Sequence, residues 1–249
     1  MITDSFDNTS EPIVTPEHFE GQRRFICDIC IITFSHLILS ELKNRFELKE
    51  CAVLRAANGD RPIYTFEHNG KTVAVCLSAI GAAMAGTEVI EINWLIGAKK
   101  YIMFGSAGSL NSAETSGKFV IPSEAYRDEG MSYHYAPPAD YIRIEKSEKV
   151  EQIFKELDLP YVKGRVWTTD AFYRETKAQT AARQSEGRLA VVMELAGVQA
   201  VCDFHGFELY DFLATGDVLD ASEYDNSGLH DANHNLDKLD IALEIADRI

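Results

Sequence analysis

The sequence predicts a single α/β domain, and three observations carry that expectation. Strand-like apolar runs alternate with helix-period segments along most of the chain. The 249 residues, 46% hydrophobic and 25% charged, suit one unit with a substantial core. Three of the apolar runs also end in groups that can hold a small polar ligand. Residues 101–104 run into Gly105-Ser106-Ala107-Gly108, residues 189–193 into Glu194, and residues 207–214 into Thr215-Gly216-Asp217. In an open α/β sheet, ligands sit beyond the carboxyl ends of the strands, so these groups are expected to share one crevice. There, Gly105 and Gly108 expose backbone amides, Glu194 accepts hydrogen bonds from a diol, and Asp217 shuttles a proton.

In chain order, residues 1–24 are polar, contain two prolines and read as an N-terminal arm, leaving residues 25–249 as the domain. Residues 27–34 form a nearly continuous apolar run that suits a buried parallel strand. Ser35 caps a following helix with Leu39, Leu42 and Phe46 on its apolar positions. Asn58-Gly59-Asp60 marks a turn, and Asn69-Gly70 a hairpin between residues 63–66 and 72–77. Gly81 to Gly86 opens a helix that Gly97 ends. After the strand into Gly105 comes an extended segment ending at Pro122, then an aromatic loop over residues 126–141. Residues 148–157 read as helix and 162–167 as strand. The last helix, from about residue 235, carries Leu236, Leu239, Leu243 and Ala246 on one stripe.

A net charge of −15, with no run of Lys and Arg, argues against nucleic acid as a partner. Five scattered cysteines make no disulfide framework and suit a reducing compartment. No apolar stretch reaches the ~20 residues needed to span a bilayer. The polar, acidic start is unlike a signal peptide, so a cytoplasmic location and no membrane partner are expected. Cys27 and Cys30 read as core packing, since residues three apart on a strand face opposite ways. His230 and His234 have chelating spacing without a third ligand, so no metal is expected. His205, before Gly206, is expected to meet the last carbonyls of its helix.

Four ordered motifs give the chain a family likeness: Gly105-Ser106-Ala107-Gly108-Ser109-Leu110, and the segments 168–176 (TTDAFYRET), 191–201 (VVMELAGVQAV) and 214–220 (ATGDVLD). Together they resemble the nucleoside phosphorylase/nucleosidase superfamily, which includes hexameric purine nucleoside phosphorylases, uridine phosphorylases and methylthioadenosine/S-adenosylhomocysteine nucleosidases. The resemblance covers roughly residues 25–249. It implies a central twisted mixed β-sheet flanked by helices, no cofactor, and a nucleoside and phosphate as small-molecule partners. It also implies a homo-oligomer, either a hexamer built as a trimer of dimers or a dimer. In that likeness Met193 and Glu194 hold the ribose, Phe172 stacks on the base, and Asp217 protonates a departing purine. Ser106, Ala107 and Gly108 line the substrate, while Tyr173 and Arg174 lie within reach of the base edge.

The same comparison shows departures. Uridine phosphorylases read uracil with a Gln and an Arg where this chain has Thr176 and Ala178, which favours purines. A second acid two residues before Glu194 is replaced by Val192, and no arginine follows Asp217 before Arg248. Phosphate is expected at Gly105 and Ser106, with Arg55 or Arg61 lent to a neighbouring subunit. The usual guanidiniums give way to Phe34-Ser35-His36 and Met103, for which Arg127 and His36 are candidate substitutes. His134 and its flanking tyrosines, Tyr133 and Tyr135, are candidates for the 5′ end of the nucleoside or for a subunit interface. The nucleosidase pattern fails too, since no acid lies between Asp28 and Glu41. Phosphorolytic cleavage of a purine nucleoside is the expected reaction. Hydrolysis, uridine phosphorolysis and a binding protein without catalysis remain alternatives.

Overall fold

The computed structural model describes residues 1–220 and 223–249. The chain runs α1 (Glu17–Glu20), β1 (Ile29–Thr33), α2 (His36–Arg45), β2 (Lys49–Leu54), β3 (Arg61–His68), β4 (Lys71–Leu77), α3 (Ala82–Ile96) and β5 (Lys100–Ser109). It continues through α4 (Ser112–Thr115), β6 (Phe119–Asp128), α5 (Ser132–Tyr135), β7 (Tyr141–Arg143), α6 (Ser147–Glu156) and β8 (Tyr161–Thr169). The last third holds α7 (Lys177–Ser185), β9 (Arg188–Val192), α8 (Leu195–His205), β10 (Glu208–Val218), α9 (Leu229–His234) and α10 (Asp237–Arg248).

All the strands join one mixed sheet in the order β10-β6-β8-β9-β5-β1-β4-β3-β2, with β7 added beside β6. β1 lies parallel to both β4 and β5, and β5 parallel to β10. The far end of β5 also pairs antiparallel with β9, through Gly108 with Val191 and Ser109 with Ala190. Since β10 pairs with both β5 and β6, the strands β5, β10, β6, β8 and β9 close into a ring. Around this ring β6, β8 and β9 run antiparallel to β5 and β10, so the end of β9 meets the second half of β5, where Gly108 pairs with Val191.

Alternation along the strands divides the core. Cys30, Ile32, Tyr101 and Met103 face a layer formed by α3 and α8, while Ile29, Ile31, Ile102 and Phe104 face α2, α6 and α10. A sheet covered on both faces explains why β1 and β9 read as unbroken apolar runs. Ser35 caps α2 by accepting the Ile38 N–H at 3.2 Å. No residue of 1–24 is buried, yet Arg24 N–H donates to the Trp94 carbonyl at 3.0 Å and the Trp94 indole to the Gly21 carbonyl at 2.7 Å.

Three elements differ from expectation. The segment expected to end at Pro122 continues as β6 to Asp128, because a register shift between Pro122 and Glu124 absorbs the missing proline N–H. The expected aromatic loop is therefore part strand, with α5 and β7 inside it. β10 likewise runs through Asp217 after a shift between Thr215 and Asp217. Gly216 sits at that shift with room for hydrogen alone: a Cβ would lie 2.7 Å from the Ala232 Cβ. Asp217 is thus held by a strand rather than by the turn that the polar stretch after it suggests; residues 221–222 of that stretch lie outside the described residues. Edge strand β2 and helix α7 carry too little pattern to be read from sequence; β2 buries only Ala52 and Leu54, and α7 only Thr180.

Candidate active site

A cavity of about 290 Å³ opens at the carboxyl ends of β1, β5, β9 and β10. Gly105, Ser106, Ala107, Gly108, Phe172, Met193, Glu194 and Asp217 all line it, so the expected strand-end groups do converge. Gly108 is fixed by close approach, since a Cβ there would meet the Leu219 Cδ1 at 2.5 Å and Asp217 Oδ2 at 3.2 Å.

Glu194 occupies the N-cap position of α8 at the end of β9, without a side-chain bond to the helix. Its Oε1 accepts the Gly81 N–H at 2.8 Å and its Oε2 the Met193 N–H at 3.2 Å. Each oxygen keeps a further lone pair, as an ionised carboxylate offers about four acceptor sites. Burial pushes its carboxyl above the ordinary range, and the two N–H groups pull it back. Two hydroxyls on neighbouring carbons match such a forked acceptor. Val192 lines the same wall as an apolar neighbour.

Asp217 is buried at the other side of the opening. Burial raises its carboxyl, while the Tyr224 hydroxyl, donating to Oδ2 at 3.1 Å, lowers it. Tyr224 reaches it because Val218 N–H donates to the Asp225 carbonyl at 2.7 Å and Asp225 N–H returns a bond at 3.2 Å, folding the chain back over β10. Glu175 lines the cavity as well. Burial first, then the charge of Asp217, pushes Glu175 up to about 7. Phe172 sits beside them on a short 3-10 turn, its ring available to a flat heterocycle. Tyr173 is 94% exposed and outside this cavity; it lines an adjoining one that shares Phe172 and Glu175. Arg174 is exposed and lines neither.

The opposite end is built by Ser35, Ser106, Asn233 and His234. The Ser106 hydroxyl donates to Asn233 Oδ1, and Ser35 Oγ lies 2.7 Å from His234 Nδ1. Lys238 is buried behind them; its ammonium binds the carbonyls of Ala232 and Asn233, fixing the end of α9, and burial lowers it to about 8. His36 and His230 lie 5.5 and 4.8 Å, ring to ring, from His234. Burial, with His230, His36 and Lys238, lowers His234. Asn233, Lys238, Tyr224 and Glu175 escape the sequence reading, which weighs His234 only as a metal ligand. Only the spacing of His230 and His234 signalled that α9 carries polar chemistry.

Several expected contributors lie elsewhere. Arg61 pairs with the buried Glu88, and Arg55 is exposed; neither lines the cavity of its own chain. Arg127 is consumed structurally, its guanidinium donating to Ser132 Oγ at 2.8 Å and the Pro137 carbonyl at 2.6 Å while covering the Tyr133 ring. His134 is exposed on α5, and Tyr135 packs edge-on against Phe204, so this loop stands apart from the cavity. His205 stacks on Phe207 instead of bonding the carbonyls of α8.

Comparison with known proteins accords with this geometry. The family model described as the phosphorylase superfamily matches residues 28–246. A DeoD-type purine nucleoside phosphorylase of Caldanaerobacter subterraneus subsp. tengcongensis is 28% identical over 190 residues, covering 74% of this chain and 80% of that one. A DeoD-type purine nucleoside phosphorylase of Colwellia psychrerythraea is 27% identical over 166 residues, covering 64% and 70%. Among solved structures, the futalosine hydrolase of Helicobacter pylori superposes with a TM-score of 0.72 at 16% identity, over 90% of this chain and 99% of that one. No helix among the described residues is long and apolar enough to cross a membrane.

Proposed function

The chain belongs to the phosphorylase superfamily, and on that premise we propose that it cleaves the N-glycosidic bond of a purine nucleoside, releasing free base and ribose 1-phosphate. Residues 25–249 form the catalytic domain in this reading, and residues 1–24 an arm available to a homo-oligomer. The observation that carries it is the meeting, in one cavity, of a carboxylate tied down by two backbone N–H groups, Glu194, and a buried carboxyl, Asp217.

Glu194 binds the ribose hydroxyls and its charge stabilises the positive character that develops at the anomeric carbon. Phe172 covers the base. As the bond from C1′ to N9 breaks, its electron pair moves into the purine, and Asp217 delivers a proton to N7 so that a neutral base departs. A phosphate oxygen attacks C1′ from the end lined by Ser35, Ser106, Asn233, His234 and Lys238, whose hydroxyl, amide, imidazole and ammonium groups are its candidate donors. The Lys238 ammonium is the one cationic side chain among the described residues lining the cavity, and it is what favours phosphate in a chain of net charge −15. Hydrolysis is the second reading, favoured by one observation: among the described residues no guanidinium lines the cavity.

Base release from adenosine, inosine, guanosine and uridine, with and without phosphate, tests both. Phosphate-dependent release from purine nucleosides with uridine inert is the expected result. Equal release without phosphate replaces phosphorolysis by hydrolysis, and no release from any purine nucleoside refutes the proposal.

A further inference from the structure

Glu175 is unused by the reaction just described. It nonetheless lines the base end of the cavity, within electrostatic reach of both Asp217 and Tyr224. Asp217 is engaged by the Tyr224 hydroxyl, whereas no hydrogen bond within the described residues contributes to the state of Glu175. An acceptor without a partner thus stands beside the acid assigned to N7. Two positions flank N7 in a purine: the C8–H, which is a poor donor, and the substituent on C6. A polar group next to Asp217 finds a hydrogen-bonding partner only at the second.

We infer that Glu175 and Asp217 together read the N7/C6 edge and select a 6-aminopurine, with Glu175 accepting the exocyclic N–H. This rests on the purine reading above. Adenine presents an acceptor at N7 and a donor at its amino group, whereas a 6-oxopurine presents two acceptors. Neighbouring carboxyls repel as two charges and favour sharing a single proton. In the free site the Asp217 charge favours that proton on Glu175; transferred to Asp217 when the base binds, leaving none on Glu175, it is complementary to the amino edge. The oxo edge would need both carboxyls protonated. Glu175 also stands where the cavity adjoins the second one, of about 790 Å³, which gives room for a substituent on the amino nitrogen.

Binding of the free bases adenine and hypoxanthine by calorimetry, alongside kcat/KM for adenosine, inosine, N6-methyladenosine and N6,N6-dimethyladenosine, tests this on the wild type and Glu175→Gln. The wild type is expected to favour adenine over hypoxanthine by about tenfold or more, the ratio of one charge-assisted hydrogen bond. N6-Methyladenosine keeps an N–H and retains activity, and the dimethyl compound loses it. Glu175→Gln, which can donate as well as accept, brings the two bases within about threefold of each other. Equal binding of the two bases by the wild type, or an unchanged ratio in Glu175→Gln, overturns the inference. If no nucleoside is cleaved but adenine binding still depends on Glu175, the reaction assigned above fails while the base reading stands.

Discussion

Replacing Glu194 by Gln separates a sugar ligand from a structural tether. In the wild type each carboxylate oxygen already accepts one backbone N–H, from Gly81 at 2.8 Å and Met193 at 3.2 Å. A Gln must aim its amide NH₂ at one of those donors, so it keeps one tether and loses one charged acceptor. A hydrogen bond to a charged group contributes about 1.5–3 kcal/mol, which corresponds to roughly 10- to 150-fold in kcat/KM at about 1.4 kcal/mol per decade. A 2′-deoxynucleoside makes one contact fewer and has less to lose. The ratio of kcat/KM for adenosine to 2′-deoxyadenosine is therefore expected to fall by about tenfold or more in Glu194→Gln. The assay is initial-rate adenine release from each substrate, with a melting curve to verify folding. Equal losses on both substrates would refute the sugar role and leave Glu194 as a structural tether for Gly81 and Met193.

Two further variants probe the scaffold. Asp211, buried on β10 with neither carboxyl oxygen partnered among the described residues, is held far above its ordinary range by burial and then by Glu194. The folded state keeps its proton where the unfolded chain has released it, so stability falls as pH rises from about 4; Asp211→Val should add about 1–3 kcal/mol near neutrality, with the gain shrinking toward acid. Denaturant titration at several pH values checks this, and a pH-independent gain contradicts it. Lys238→Met removes the clamp on the Ala232 and Asn233 carbonyls; by leaving buried acceptors without their donor it should cost about 1–3 kcal/mol of stability and lower kcat/KM by about tenfold through misplaced Asn233 and His234. An unchanged kcat/KM would free α9 of its positioning role.

The base and ribose ends of the cavity were legible because their residues sit at strand ends, where local patterning marks both the strand and its stop. Gly105 to Gly108, Met193 and Glu194 are of this kind. Phe172 was legible through the motif around it. The nucleophile end was not, because Asn233 and His234 arrive on α9, a six-residue helix whose place depends on packing against β10 and on Lys238. Tyr224 meets Asp217 only through the fold-back at Val218 and Asp225, and Glu175 arrives from the distant turn before α7. The strand limits read at Pro122 and Ala214 fall short for a related reason. A bulge lets a strand pass a residue that breaks its pattern, and its benefit comes from neighbours distant in sequence. Arg127 had the right chemistry for phosphate but folds into its own loop.

The central claim, that Asp217 supplies the proton that lets a purine leave, is tested most directly by varying the leaving group against Asp217→Asn. Adenosine needs a proton on its departing base, whereas 4-nitrophenyl β-D-riboside releases a stable phenolate without one. General-acid contributions run to about 10²–10⁴-fold, so the variant should lose about that much kcat/KM on adenosine while keeping nearly the wild-type value on the nitrophenyl riboside. Equal losses on both substrates would contradict the claim and make Asp217 a structural residue of β10.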